Sequence, residues 1–397
     1  MLEFLITLNL GLLAILACLG LSCFFIGSRL WRGYESRNET DNSFPEQLFL
    51  ISLKSFSVIY LISISVVAVS IPLVLIYSWS AIQTLPDELP MAAAIVLIVI
   101  SLGGIAALTV AFRKPMRSLK TYLPILPEAE PTLHKMILEL SDHFELEPIE
   151  DIRITPGSEI EIKEQVQTFE DVFSDCSKYI EIGMSSLELL LASDLKVLMA
   201  RQFAFYEESD DPPACFIRKL DYRLQTISDN LLDVGFLVML NPVAWMAMGM
   251  RPIISQLTSD YLLTVEFKAD EAVAEYSGSQ RLTNALARYN VETERFRELI
   301  DIANDFSRAG GGMLGGNIYD VMKRAKTEST DDLKVMIEHL FTETNLSRSN
   351  VSKRFLKLRL KRLPETAETP IDFNRPAITW LTDWRQTENR MMKLINI

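Results

Sequence analysis

Residues 179–206 read YIEIGMSSLELLLASDLKVLMARQFAFY, and the assignment of the fold depends on them. The short extended segment at 178–183 (KYIEIG) predicts a β-strand. Ser185-Ser186 predicts the start of a short helix, and Ser193-Asp194 predicts the N-cap of a longer helix that ends near Tyr206. A strand, a short helix and a long helix therefore follow one another directly in this part of the chain.

Further strands and helices are predicted on both sides of this segment. Upstream, the apolar side chains of 130–145 recur at helical spacing, and short extended segments follow at 151–155 and 159–168. Downstream, four more segments have helical patterns: 258–276, 279–289, and roughly 291–306 and 318–341. The predicted fold class is α+β, mainly helical, with a small sheet.

The composition excludes several classes of protein. The chain has 397 residues, of which 49% are hydrophobic, and a formal net charge of -13. Binding to nucleic acid through phosphate neutralisation requires clustered Lys and Arg, so we expect no nucleic-acid partner. The four cysteines form no CxxC pair, which argues against both a disulfide framework and a zinc knuckle.

The first 112 residues are predicted to form a membrane anchor. Three uncharged runs in them are long enough to cross a bilayer of about 30 Å, at 4–27, 57–79 and 90–112. A signal peptide is the alternative for the first run, but the basic residues expected before its apolar stretch are absent. We therefore predict three transmembrane helices and a membrane lipid bilayer as one partner.

The distribution of basic residues orients these spans. Lys and Arg are concentrated in the 28–56 loop and in 113–120, whereas the loop between the second and third spans has none. Basic residues accumulate on the cytoplasmic side of membranes. The body of the protein is therefore predicted to be cytoplasmic from about residue 113 onward.

A fourth apolar stretch, 234–250, has more than one interpretation. It is short for a span, and Asn241-Pro242 interrupts it. A buried or amphipathic core helix and a membrane-associated segment remain open alternatives. A full crossing is disfavoured, because it would separate two segments that we expect to form one site.

The motifs in these segments resemble those of a known family. The chain resembles the HtpX and CAAX-endopeptidase type of membrane zinc metallopeptidase, in which a leucine-rich short helix is followed by a long helix with a His-Glu-x-x-His motif. The short helix is similar here at Leu187-Glu188-Leu189-Leu190. The start of the long helix, up to the position of that motif, is similar at Asp194–Met199. Farther along, Glu266-Phe267-Lys268-Ala269-Asp270 is similar to the family's Glu-x-x-Ala-Asp motif, which supplies the third zinc ligand. The resemblance covers roughly 115–362.

This resemblance implies a domain organisation. It implies a zincin-like peptidase domain over 113–362, in which 178–183 is an edge strand, followed by a C-terminal tail at 363–397. It also implies a bacterial inner (cytoplasmic) membrane as the location.

The chain departs from the family at the catalytic motif. The positions of the two histidines and the glutamate are occupied by Ala200, Ala204 and Arg201. Two methyl groups cannot bind a metal ion, and a protonated arginine cannot act as a general base. The three histidines of the chain, His134, His143 and His339, contain no pair at i, i+4 spacing. We therefore expect no bound zinc, no other cofactor and no catalytic residue.

The third-ligand motif then needs another role. We expect Glu266 and Asp270 to be vestigial as metal ligands. An ion pair between Arg201 and Glu266 would fill the space of the lost metal and offset the cost of a buried carboxylate. Two unrelated surface charges are the alternative.

The resulting hypothesis is a pseudoprotease that acts by protein binding or regulation in membrane protein quality control. Its partner would be an unidentified protein or an unfolded or membrane protein client, bound by strand addition beside 178–183. The alternatives are an active membrane metalloendopeptidase with a non-standard site and a membrane structural or transport protein.

Overall fold

A computed structural model gives the architecture of the protein. It describes most of 11–29, all of 44–82, 122–149, 151–167, 170–208, 212–233, 242–308, 318–319 and 375–395, and four positions within 360–366. The predicted span at 90–112, part of the predicted span at 4–27, residues 234–241 of the fourth apolar stretch, most of the predicted helix at 318–341, and His339 lie outside the described residues.

The described part is mainly helical. From Phe44 onward, its described α-helices are α1 Phe44–Ile82, α2 Pro131–His143, α3 Met184–Leu189, α4 Ala192–Glu208, α5 Pro212–Asp233, α6 Pro242–Ser277, α7 Ser279–Arg308 and α8 Trp384–Ile395. Two short 3₁₀ helices cover Glu170–Phe173 and Ala377–Trp380. The helices expected at 279–289 and 291–306 are one helix, because the Asn290 side chain donates to the carbonyl of Leu286 inside α7 and does not end it.

The strands form one mixed four-stranded sheet. They are β1 Leu123–Ile125, β2 Asp151–Thr155, β3 Ile160–Glu164 and β4 Lys178–Gly183, in the order β1-β2-β4-β3. β4 pairs in parallel with β2, and both β1–β2 and β3–β4 are antiparallel.

The expected edge position of 178–183 is wrong. β4 lies inside the sheet, because β3 pairs along its outer side with Ile160 opposite Ile182 and Ile162 opposite Ile180. These apolar cross-strand pairs are buried and stabilise this pairing. Among the described strands, the two edges are β1 and β3.

The chain divides into two compact units. Unit 1 comprises Met1–Arg117, Val166–Asp175 and Asp211–Leu262, and unit 2 comprises Ser118–Gln165, Cys176–Asp210 and Leu263–Ile397. The boundary thus falls within α6. The expected division at residue 113 differs from this one, because α5 and the first part of α6 belong with α1.

In unit 2, α4 is the central helix. It packs against α7, α2 and β3. Leu195, Met199, Ala200, Phe203 and Ala204 are buried in the hydrophobic core of this unit. The amphipathic pattern that predicted α2 is confirmed, since Leu133, Met136, Ile137 and Leu140 are buried against the same core.

In unit 1, α1 packs with α5 and the first part of α6. The rings of Phe49 and Tyr261 lie 5.6 Å apart. The Tyr60 hydroxyl donates to the carbonyl of Met246 at 2.8 Å. Pro242 begins α6, so the part of 234–250 that the structure describes is helical.

Among the described residues, one helix is long and apolar enough to cross a membrane. Its candidate span, Leu48–Val67, has a mean hydropathy of 2.0, and 22% of the scored window is buried. This span overlaps the predicted one at 57–79. A shorter apolar helix, Ala14–Cys23, falls within the predicted span at 4–27.

Gly183 provides a test of the junction between β4 and α3. A Cβ atom at this position would overlap the backbone of Gly157 and Ser158, and backbone cannot move aside as a flexible side chain can. We expect Gly183→Ala to lower the free energy of unfolding by about 1–3 kcal/mol, as overpacked sites do. The measurement is thermal or denaturant unfolding of the purified protein in detergent.

Gly249→Ala is the matched control. Its added Cβ would meet the Tyr60 hydroxyl at 3.5 Å, an ordinary contact, and alanine is the better helix former. We expect no loss of stability in this variant. Equal losses in the two variants would contradict the proposed clash at Gly183.

Candidate functional site

Arg201 lies in the third turn of α4, within the part of the helix that faces the core. Ala200 and Ala204, one turn apart, have no exposed surface. The Arg201 side chain is 13% exposed. The long Arg201 side chain reaches from α4 to α6.

Arg201 binds two carboxylates of α6. Its Nε donates to Asp270 Oδ1 at 2.9 Å, and its Nη2 donates to Glu266 Oε2 at 3.1 Å. A guanidinium holds several N–H donors in one rigid plane, which suits it to binding two acceptors at once. The expected ion pair between Arg201 and Glu266 is thus present, and Asp270 is a second partner that we had not expected.

The spacing of the two carboxylates explains the arrangement. Residues at i and i+4 lie on one face of a helix, so Glu266 and Asp270 point in the same direction from α6. Their like charges, one helical turn apart, would repel each other. One guanidinium between them compensates both charges and makes charge-assisted hydrogen bonds to each.

The two carboxylates differ in exposure. The Asp270 side chain is 2% exposed, whereas that of Glu266 is 34% exposed. A buried charge is costly unless it is paired, and an exposed ion pair contributes little. The interaction between Arg201 and Asp270 is therefore the one that carries most of the energy.

The residues at this position do not fit a zinc ion. Zinc sites use Cys, His, Asp or Glu as ligands, and here two of the expected ligands are methyl groups while a cation holds the third. In the part of the chain that the structure describes, no group of three or more His, Cys, Asp or Glu side chains is placed to hold a metal ion. His134 and His143 both lie on α2, and His143 packs against Tyr276.

A second ion pair fixes α7 on α4. Arg288 of α7 bonds to Asp194 in the first turn of α4, and Asp194 is 8% exposed. The sequence suggested Asp194 as part of a helix cap, but its carboxylate has a partner far along the chain. No local signal identifies such a partner.

The outer strand β3 forms the second part of the candidate site. On the face of the sheet opposite the core, Lys163 Nζ lies 2.8 Å from Glu161 Oε2 and 2.6 Å from Glu181 Oε2. Burial alone lowers the pKa of Lys163, but these two carboxylates outweigh it and raise the pKa overall. Lys163 is therefore a cation at neutral pH and holds β3 to β4.

The hydrogen-bond pattern shows which backbone groups of β3 point outward. The Gln165 N–H donates to the Ser177 carbonyl, and the Gly183 N–H donates to the Glu159 carbonyl. Bonded and non-bonded pairs alternate in an antiparallel ladder. The N–H and C=O groups of Ile160 and Ile162 consequently point away from β4.

Tyr289 of α7 covers one end of this edge. Its side chain hydrogen bonds to the backbone of Ile160. Burial raises the pKa of Tyr289 to about 12, and the nearby Glu161 and Glu159 carboxylates add to this shift. Its hydroxyl therefore stays protonated at neutral pH.

No protein-family model, no curated protein and no solved structure matches this chain. The resemblance to the metallopeptidases thus rests on the motifs at 187–199 and 266–270 and on their order in the chain.

The Arg201 interaction predicts a graded set of stability changes. Arg201→Met leaves the buried Asp270 carboxylate without this cation, and we expect it to cost about 3–5 kcal/mol. Glu266→Gln removes the more exposed partner and should cost only about 0.2–1 kcal/mol. Equilibrium unfolding in detergent measures both changes.

Two further variants sharpen this comparison. Arg201→Met combined with Asp270→Leu removes both buried charges, so most of the lost stability should return. Lys268→Ala is the control, because Lys268 is 60% exposed and lies 3.9 Å from Glu208. An Arg201→Met variant as stable as the parent would show that the interaction does not support the fold.

Proposed function

We propose that this protein is a membrane-anchored, catalytically inactive relative of the HtpX and CAAX-endopeptidase type of zinc metallopeptidase. It binds proteins and does not cleave them, and it acts in membrane protein quality control. Its zincin-like domain lies on the cytoplasmic side of a bacterial inner membrane. The client is an unfolded protein, a membrane protein or an active relative that it regulates.

One observation carries this proposal. The Arg201 guanidinium bonds to both Glu266 and Asp270, the two acidic residues of the motif that resembles the family's third-ligand motif. By the resemblance, Arg201 stands at the position of the family's general base, and Ala200 and Ala204 stand at the positions of two metal ligands. A cation bound to these carboxylates excludes a divalent metal ion by charge as well as by volume.

The membrane anchor is supported by α1. Most of the scored window of its candidate span is not buried in the protein, as expected of a helix that faces lipid. Lys54 is the last charged residue before a continuous uncharged stretch that extends through Ile82. This stretch exceeds the length required to cross a hydrocarbon core of about 30 Å.

The client-binding edge is β3 and not the 178–183 strand. β1 is a poor template for strand addition, because it has three residues and one of them is Pro124, which lacks an N–H group. β3 has five residues, and Ile162 directs its backbone groups outward. β3 also packs against α4, the helix that carries Arg201.

Zinc content is the first test of the inactive state. We expect elemental analysis of the detergent-purified protein to show no stoichiometric zinc, and a proteolysis assay on an unfolded substrate to show no cleavage. One zinc per chain in the unaltered protein would contradict the proposed loss of the site.

Restoring the missing ligands tests the resemblance itself. The variant Ala200→His/Arg201→Glu/Ala204→His places two imidazoles one helical turn apart, with Glu266 as the third ligand. We expect about one zinc per chain in this variant, and its loss when Glu266→Gln is added. A folded triple variant without zinc would show that α4 is not the helix of the catalytic motif.

Photo-crosslinking locates the client-binding edge. A benzoylphenylalanine at Glu161 of β3, whose side chain is 47% exposed, should crosslink a reduced, carboxymethylated protein used as an unfolded client. The matched control carries the same group at Leu138 of α2, which is 39% exposed. We expect several-fold more crosslinking at Glu161, and equal yields would contradict strand addition at β3.

A further inference from the structure

Two contacts show that α1 and the first part of α6 run in opposite directions in unit 1. Phe49 contacts Tyr261, and eleven positions later in α1 the Tyr60 hydroxyl donates to the carbonyl of Met246. Higher residue numbers in α1 therefore lie beside lower residue numbers in α6. The beginning of α6 lies beside the part of α1 that follows Lys54.

The last part of α5 extends toward the same end of unit 1 as the beginning of α6. Arg251 Nε of α6 donates to Asp221 Oδ1 of α5 at 2.9 Å, and Arg251 Nη2 donates to Gln225 at 3.3 Å. From this contact, α6 continues back to Pro242 and α5 continues forward to Asp233. Lys54 Nζ of α1 lies 5.5 Å from the centroid of the Phe216 ring, which is earlier in α5 than Asp221, so α5 also extends toward the level of Tyr60.

Two large apolar side chains near this level are exposed, whereas Ala244, Ala247 and Met250 are buried. Trp245 is 59% exposed and Leu232 is 51% exposed, and no charged residue occurs in α6 before Arg251. On the neighbouring helix, Val58 and Ile62 are 44% and 45% exposed. We call Leu232 together with Ala244–Met250 the apolar tip.

The position of Tyr60 along α1 indicates how deep the apolar tip would lie in the membrane. Tyr60 lies six residues after Lys54, which at 1.5 Å per residue is about 9 Å farther along α1. It is inside the uncharged run of the candidate span. If Lys54 lies among the lipid headgroups, the carbonyl that Tyr60 binds, and Trp245 beside it, lie about 9 Å deeper, near the boundary between headgroups and acyl chains.

We propose that the apolar tip inserts into the cytoplasmic leaflet beside α1, with Trp245 in contact with lipid at the boundary between headgroups and acyl chains. Trp and Tyr side chains are enriched at this boundary, because one part of each ring system is apolar and another is polar. Asp229 of α5 is exposed one turn before Leu232, and α5 ends at a second acidic residue, Asp233, so the insertion is limited to the interfacial layer. The Arg251–Asp221 pair then lies on the water side of it.

The inference rests on the proposed membrane anchoring of α1, and it selects membrane contact among the alternatives for 234–250. The occupant of this surface is the lipid bilayer. The carbonyl of Met246 is already bonded within its helix and to Tyr60, so insertion leaves no additional backbone group without a partner at that residue.

The test uses the full-length protein in liposomes of phosphatidylcholine and phosphatidylglycerol. The four cysteines, Cys18, Cys23, Cys176 and Cys215, are replaced by serine, and one new cysteine at a time is labelled with the polarity-sensitive dye NBD. The labelled variants are Trp245→Cys, Ile62→Cys in the candidate span, and Ile302→Cys in unit 2. Ile302 is the control for exposed apolar residues, because it is 61% exposed on α7.

Fluorescence quenching separates lipid from water. We expect a nitroxide lipid with its quencher near the headgroups to quench the label at Trp245 several-fold more than the label at Ile302, and aqueous iodide to do the reverse. Leu232→Cys is the second probe and should behave like Trp245→Cys, so the test does not depend on one substitution.

The outcomes distinguish this inference from the anchor on which it rests. Lipid quenching at Ile62 with iodide quenching at both Trp245 and Leu232 would overturn the insertion of the tip and leave the anchor intact. Iodide quenching at Ile62 would overturn both. Equal lipid quenching at Trp245 and Ile302 would also overturn the inference, because it would show no preference for the tip.

Discussion

The structure of unit 2 depends on the compensation of a buried carboxylate. Asp270 is nearly inaccessible to solvent, in a core that also contains Ala200, Ala204 and Ala269. A carboxylate in such a place is tolerated only with a cation and hydrogen bonds. Arg201 supplies both and joins α4 to α6, two helices that are far apart in the chain.

The same arrangement determines what this position can do. A metal ion and a guanidinium would compete for the same two carboxylates, and the guanidinium is covalently part of the protein. A positive charge here cannot accept a proton from water. We therefore propose a binding protein in which the ion pairs of Arg201 with Glu266 and Asp270 occupy the place that a metal ion has in the peptidases that the chain resembles.

Binding would then depend on the sheet and the membrane-facing unit. β3 is held to β4 by buried isoleucine pairs on one face and by Lys163 with its two carboxylates on the other. Because these contacts hold the edge in place, most of the entropic cost of association would come from ordering the bound strand. In unit 1, the Tyr60–Met246 hydrogen bond links α1 to the first part of α6.

The sequence by itself determined the local features. Apolar periodicity predicted α2, and a short extended segment predicted β4. These features could be predicted because each depends on neighbours within one or two helical turns or on the chemistry of single side chains. The pairing of Arg201 with Glu266 was predictable only through the family resemblance, which suggested that the two helices meet.

Only the tertiary structure decided the order of the strands, the second partner of Arg201 and the level at which α6 lies beside α1. The interior position of β4 follows from its pairing with both β2 and β3, and periodicity within a strand carries no information about its neighbours. Asp194 likewise pairs with Arg288 of α7 instead of serving only its own helix. Such contacts join residues that are distant in the chain, and their geometry is fixed by the packing of whole elements.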